Sequence, residues 1–104
     1  MDLSAYQTIY VTEAGQCLEE LQRQLARLEA GGLDPGGTEA AYRAAHTLKG
    51  DSATMGYDEL TALASEIEDP LKRAVQKGLS LPADFAVTLR AALSRLEEAL
   101  AAMR

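Results

Sequence analysis

The sequence predicts an all-α protein, an antiparallel up-down four-helix bundle, and three observations carry that reading. Apolar residues recur at three- and four-residue spacing in four separate segments, which is the helical period. Breaks containing Gly or Pro divide those segments from one another. The composition is 47% hydrophobic but only 5% aromatic, with no Trp and one Phe, so the core has to be built mainly from Leu and Ala, both good helix formers. A chain of 104 residues supports one hydrophobic core and is too short for two.

The first helix is expected over about residues 4–30, where Leu18, Leu21, Leu25 and Leu28 form a stripe extended backward by Cys17, Ala14, Tyr10 and Tyr6. Gly31 and Gly32 stop it, and GGLDPGGT reads as a loop. Thr38 is the expected N-cap of a second helix over residues 39–54. Met55-Gly56-Tyr57 makes the next break, and Asp58 is placed to cap a third helix over residues 59–77, ended by Gly78. Pro82 suits the first turn of a fourth helix over residues 83–103, with Phe85, Leu89, Leu93, Leu96 and Leu100 as its stripe. All four helices fall in a single domain spanning residues 1–104.

Charge and composition remove several function classes. A net charge of −6, from 16 acidic and 10 basic residues, argues against a nucleic-acid binder, which needs a basic surface. Cys17 is the only cysteine, so it cannot form an internal disulfide, and within an apolar stripe it reads as a small buried hydrophobe rather than a reactive thiol. One Cys and one His do not make a zinc or iron–sulfur site, and no metal or cofactor is expected in this chain. No apolar run approaches the ~18 residues of a membrane span, and MDLSAYQ lacks the basic and apolar regions of a signal peptide. The expected setting is cytoplasmic.

His46, within AHTLKGDSATMGY, is the one histidine of the chain. At ~100° per residue, with Ala41 at zero, Ala44, Ala45, Leu48, Ser52 and Met55 fall within about 60° and form the packing face. His46 falls near ~140°, with Tyr42, Lys49 and Ala53 on its side and Gly50 near ~180°. A histidine so placed is not a core residue. Gly50 and Ala53 leave its neighbourhood uncrowded, and Lys49 and Arg43 bring two cations that an anion on the ring would meet. A neutral imidazole offers one nucleophilic nitrogen and titrates near neutral pH. On the third helix, with Leu60 at zero, Glu68 falls near ~80°, at the edge of the buried face. That carboxylate is either an orienter of the imidazole across the helix pair or a solvated edge residue paired with Lys72 at i+4.

His46-Thr47-Leu48-Lys49-Gly50 followed by Ser52-Ala53-Thr54-Met55-Gly56-Tyr57 resembles the phosphorylation motif of histidine-containing phosphotransfer (HPt) domains. The likeness is strongest to the N-terminal domains of chemotaxis histidine kinases of the CheA type. It extends upstream through the first helix and downstream through Glu66-Ile67-Glu68-Asp69, so it covers nearly the whole chain. The resemblance implies that His46 takes the γ-phosphoryl group of ATP from a histidine kinase catalytic domain and passes it to an aspartate of a response regulator receiver domain. It implies that Glu68 orients the imidazole, that Lys49 neighbours the phosphate and that Gly50 keeps the site open. ATP and Mg would sit on the partner kinase domain, since the chain has no phosphate loop and no carboxylate cluster for magnesium. No catalysis is therefore expected from this chain alone.

Two residues depart from the family pattern. Ser65 stands where some members carry a second histidine, and Pro70 interrupts the third helix just beyond Glu68, where it should kink or break that helix. The chain is expected to be monomeric, and its end at Arg104 suggests a domain of a longer kinase, although an initiator Met would also suit a free-standing HPt protein outside chemotaxis. The competing functional class is a non-catalytic helical interaction module in which His46 is incidental.

Overall fold

A computed structural model describes residues 3–104 as four helices: α1 (Leu3–Ala30), α2 (Pro35–Thr54), α3 (Asp58–Lys77) and α4 (Phe85–Met103). The connections are residues 31–34, 55–57 and 78–84. At no more than ~3.6 Å per extended residue, none of them can run back along a 20-residue helix, which is ~30 Å long. Successive helices must therefore run antiparallel. They close into a ring in which α1 packs on α2 and α4, and α3 packs on α2 and α4. The bundle measures 45 × 24 × 20 Å.

The core follows the apolar stripes. Leu18, Leu21 and Leu25 of α1 meet Leu60, Leu63, Ile67 and Leu71 of α3 and Phe85, Leu89, Leu93, Leu96 and Leu100 of α4. From α2 the buried residues are chiefly small: Ala41, Ala44 and Ala45, with Leu48 the one large side chain. A helix that buries alanine can lie close to its neighbours, because no long side chain holds the backbones apart. This close seating of α2 positions the site described below.

The starts of three helices differ from expectation. Helix α2 begins at Pro35, four residues before Glu39, and its cap is Asp34 rather than Thr38. Asp34 Oδ1 accepts the Gly37 N–H at 2.7 Å, Pro35 occupies the first turn where its missing donor costs nothing, and Thr38 lies inside that turn. One of the glycines that suggested a loop, Gly37, has a packing reason instead. A Cβ there would stand 2.8 Å from Gln24 Oε1 of α1, so any larger residue would have to displace that buried amide. Helix α3 starts at Asp58 itself, after Tyr57, with no side-chain cap. Asp58 and Glu59 instead place negative charge in the first turn, where the helix dipole favours it. Helix α4 starts at Phe85 after Asp84, which leaves Pro82 outside it, with the Pro82 carbonyl accepting the Phe85 N–H at 3.0 Å.

Pro70 was expected to kink or break α3, yet the helix runs unbroken from Asp58 to Lys77. The carbonyl that loses its donor is that of Glu66, four residues back, and Glu66 is exposed, so water can replace the lost bond. Ile67 and Leu71, both fully buried, hold the segment to the core on either side of the proline. Among the described residues, no helix is long and apolar enough to cross a membrane.

Candidate functional site

The α2–α3 pair, joined by Met55-Gly56-Tyr57, holds the site. This turn is fixed by backbone bonds from Gly56 N–H to the Ala53 carbonyl at 3.0 Å and from Tyr57 N–H to the Ser52 carbonyl at 2.9 Å. Gly56 takes φ 76°, a conformation that costs glycine nothing and other residues dearly. Tyr57 then packs edge-on against Tyr10 of α1, with ring centroids 5.0 Å apart, and Tyr10 and Ser52 share a buried hydrogen bond of 2.8 Å. The turn is thus pinned to α1, and the α2–α3 register is pinned with it.

That register sets Glu68 of α3 against His46 and Lys49 of α2. Glu68 Oε2 lies 2.5 Å from His46 Nδ1, and the Lys49 ammonium donates to Glu68 Oε1. One carboxylate therefore takes a partner on each oxygen, both from the facing helix. An ionised carboxylate only accepts hydrogen bonds, so the His46 proton is on Nδ1 and the Nε2 lone pair is available. The side chain of Glu68 is 1% exposed while that of His46 is 64% exposed. The fixed end of the pair is sealed in the protein and the imidazole lies at the surface. Burial pushes the Glu68 carboxyl upward, but the hydrogen bonds from Lys49 and His46 outweigh it and hold it below its ordinary value. The bond to Glu68 raises Lys49 above its own ordinary value, against a smaller opposing effect of burial.

The sequence placed Glu68 at an edge, whereas in the structure its side chain is 1% exposed, between α3 and the helix that packs on it. Pro70 does not turn it away, and its partner is Lys49, not Lys72. Gly50 is exposed, and beyond its own stretch of helix no heavy atom of the described residues lies within 4 Å of where its Cβ would be. Ala53 is likewise exposed one turn further on. Arg43, expected as a second cation, instead bonds Glu39 at 2.5 Å, toward the start of α2. Ser65 is half-buried one turn before Glu68, and both Glu68 oxygens have partners without it. Sequence reasoning set one further neighbour, Tyr42, on the side of His46 but gave it no role. Its ring lies 5.8 Å from the imidazole at an interplanar angle of 34°. The signal was the i, i+4 spacing.

Chemically, this is a nucleophilic nitrogen with a fixed tautomer, a cation beside it and open space in front. It is a poor metal site, since one imidazole nitrogen is the sole available ligand and the nearby carboxylate is neutralised by an ammonium.

Comparison with known proteins bears on this geometry. The family model described as the Hpt domain matches residues 5–102. The chain is 34% identical over 97 residues to the chemotaxis protein CheA of Bacillus subtilis, covering 93% of this chain and 14% of that protein. It is 35% identical over 82 residues to CheA of Halobacterium salinarum, covering 76% of this chain and 12% of that protein. The chain thus spans only a small part of the curated relatives it matches. Among solved structures, the CheA phosphotransferase domain from Thermotoga maritima superposes with a TM-score of 0.86 at 25% identity, covering 99% of this chain and 98% of that one. The phosphorylated P1 domain of CheA3, solved in complex with CheY6 from R. sphaeroides, has the same fold, with a TM-score of 0.79 at 22% identity over 95% of this chain and 80% of that one.

Proposed function

The chain belongs to the Hpt domain family, and from that premise we propose that it is the phosphoryl carrier of a chemotaxis-type two-component pathway, with His46 as phosphoacceptor. The observation that carries this reading is the pairing of His46 Nδ1 with buried Glu68, which turns Nε2 outward as the nucleophile. The γ-phosphorus of ATP, held with Mg on a separate histidine kinase catalytic domain, is attacked by the Nε2 lone pair. The N–P bond forms, the bond to the bridging oxygen breaks and ADP leaves. As the ring takes up positive charge, the Glu68 carboxylate on Nδ1 stabilises it. Lys49, tethered to the same carboxylate, sets an ammonium where the phosphoryl oxygens can be steadied.

In the second half-reaction an aspartate carboxylate of a response regulator receiver domain attacks the same phosphorus. The N–P bond breaks and the neutral imidazole returns with its proton still on Nδ1. ATP and Mg remain on the kinase domain throughout, and this chain supplies the acceptor, its orientation and an uncrowded approach past Gly50 and Ala53. We read the domain as cytoplasmic and monomeric, serving a kinase catalytic domain and a receiver in turn.

The test is to incubate the domain with a CheA-type kinase core and labelled ATP. Acid-labile, base-stable phosphate should accumulate on wild type and be absent from His46→Gln, whose helix content should match wild type by circular dichroism. A wild-type domain that takes up no label from a competent kinase would sink the reading and favour the passive interaction module.

A further inference from the structure

Beyond its own Cβ, the His46 ring is tethered at one point only. A single hydrogen bond from Nδ1 to Glu68 tolerates a spread of lengths and angles, and within that spread small changes in χ1 and χ2 swing Nε2 through an arc. With its side chain 64% exposed, the imidazole has little packing to resist that swing. Tyr42 lies one turn before it on the same face of α2, with centroids 5.8 Å apart and the ring planes tilted by 34°. That separation is within contact range for aromatic pairs. Tyr42 is itself anchored, being half-buried and packed against the hydrophobic core. The i, i+4 spacing sets the two side chains one above the other.

We propose that Tyr42 is a positioning residue for phosphotransfer: its core-anchored ring face braces the plane of the His46 imidazole, so that Glu68 and Tyr42 together fix both the place and the direction of Nε2. This rests on the phosphoacceptor reading above. The ring face is the working part, and the phenolic hydroxyl is not required. In this role Tyr42 acts on the reaction through His46 and not on the phosphoryl group itself. A nucleophile held within its attack cone gains rate because its orientation is paid before the encounter, and small misplacements cost heavily.

The experiment compares Tyr42→Phe with Tyr42→Leu by two readouts. The first is the ring-nitrogen NMR spectrum of His46 in the unphosphorylated domain, which reports the proportion of the Nδ1–H tautomer. The second is phosphorylation by a CheA-type kinase core, resolved into kcat and KM for the domain as substrate. Tyr42→Phe should match wild type in both. Tyr42→Leu should lose part of the Nδ1–H tautomer and lower kcat by about tenfold with KM unchanged. Should Tyr42→Leu lose helix content, Tyr42→Met, a strong helix former of similar reach, carries the same expectation. Unchanged tautomer and kcat in the folded aliphatic variant would overturn the proposal, as would a Tyr42→Phe variant that falls as far as Tyr42→Leu. If wild type itself takes no phosphate, the phosphoacceptor reading fails, while the nitrogen spectra still decide whether Tyr42 fixes the ring.

Discussion

Helix α2 carries a polar cluster on each flank, and the two have opposite designs. Toward α1, Tyr10 and Ser52 are both buried, at 3% and 0% exposure, and bond one another at 2.8 Å. Burial pushes the Tyr10 phenol upward, against the smaller effect of its bond to Ser52. That one bond joins the two hydroxyls inside the core. Toward α3, Glu68 is as deeply buried, but its partners reach it from the surface, and His46 keeps a second nitrogen uncommitted. A polar pair closed inside a core fixes register and meets no partner from outside. An open one, anchored at its buried end, has both orientation and a lone pair that a partner can reach. Exposure of the uncommitted atom, more than residue type, separates the structural cluster from the chemical one.

The sharpest way to break this contrast is to remove the buried anchor of the open cluster. Glu68→Ala should slow phosphorylation of His46 by about 10–100-fold, the usual scale for losing a group that orients a functional histidine. Glu68→Gln should fall between, because an amide oxygen can still accept from Nδ1–H but carries no charge to stabilise the ring. Initial rates of label uptake from a kinase core measure both. An unchanged rate in Glu68→Ala would mean that the ring is oriented by something else.

The acid limb of the stability curve should come next. Glu68 has a folded-state value below its ordinary 4.5, so it contributes stability above that value and loses it as pH falls through the lowered one. Lys49, raised above its ordinary 10.5, contributes below that value and loses it as pH rises through the raised one. Denaturant midpoints should therefore decline on both sides of a broad plateau. Glu68→Gln should flatten the acid decline, while Tyr10→Phe should leave it in place.

In the closed cluster, Tyr10→Phe strands the Ser52 hydroxyl in the core and should cost about 1–2 kcal/mol in denaturant titrations. Phosphorylation of the folded variant should be unchanged, since no atom of this pair touches the ring. A loss of rate at full folding would mean that the turn after α2 transmits to the site, and the separation of the two clusters would fail.

How far the sequence foretells this contrast can be judged residue by residue. The outward phase of His46 and the inward phase of Ala41, Ala44 and Ala45 followed from helical periodicity, because that is a local property of one helix. The burial of Glu68 did not, because it depends on the distance between α2 and α3, which angular position on a single helix does not contain. The start of α2 was misread because glycine signals loops and close packing alike, and only the position of Gln24 on another helix distinguishes them. Pro70 misled for a related reason: its cost depends on whether the residue whose carbonyl loses its donor, Glu66, lies at the surface, and Glu66 is exposed. The pairing of Tyr42 with His46 was within reach of sequence spacing, and its tilt and separation were not.

The glycines sharpen the contrast at its smallest scale. Gly37 is favoured by the fold, since a Cβ there would press on Gln24 Oε1 at 2.8 Å and shift that buried amide. Gly50 is not: it is helical, it does not adopt positive φ, and beyond its own stretch of helix a Cβ would meet no heavy atom of the described residues within 4 Å. Glycine inside a helix costs about 0.5–1 kcal/mol relative to alanine. Gly50→Ala should therefore stabilise the domain by that amount in thermal or denaturant unfolding. If the glycine leaves room for the kinase or receiver to approach His46, the same variant should transfer phosphate more slowly, with the loss in KM for the partner rather than in the tautomer of the ring. A methyl group that raises stability and lowers transfer would locate the reason for Gly50 outside this chain. A variant that is more stable and equally fast would mean that the open approach needs no glycine and that Ala53 and the exposed ring suffice.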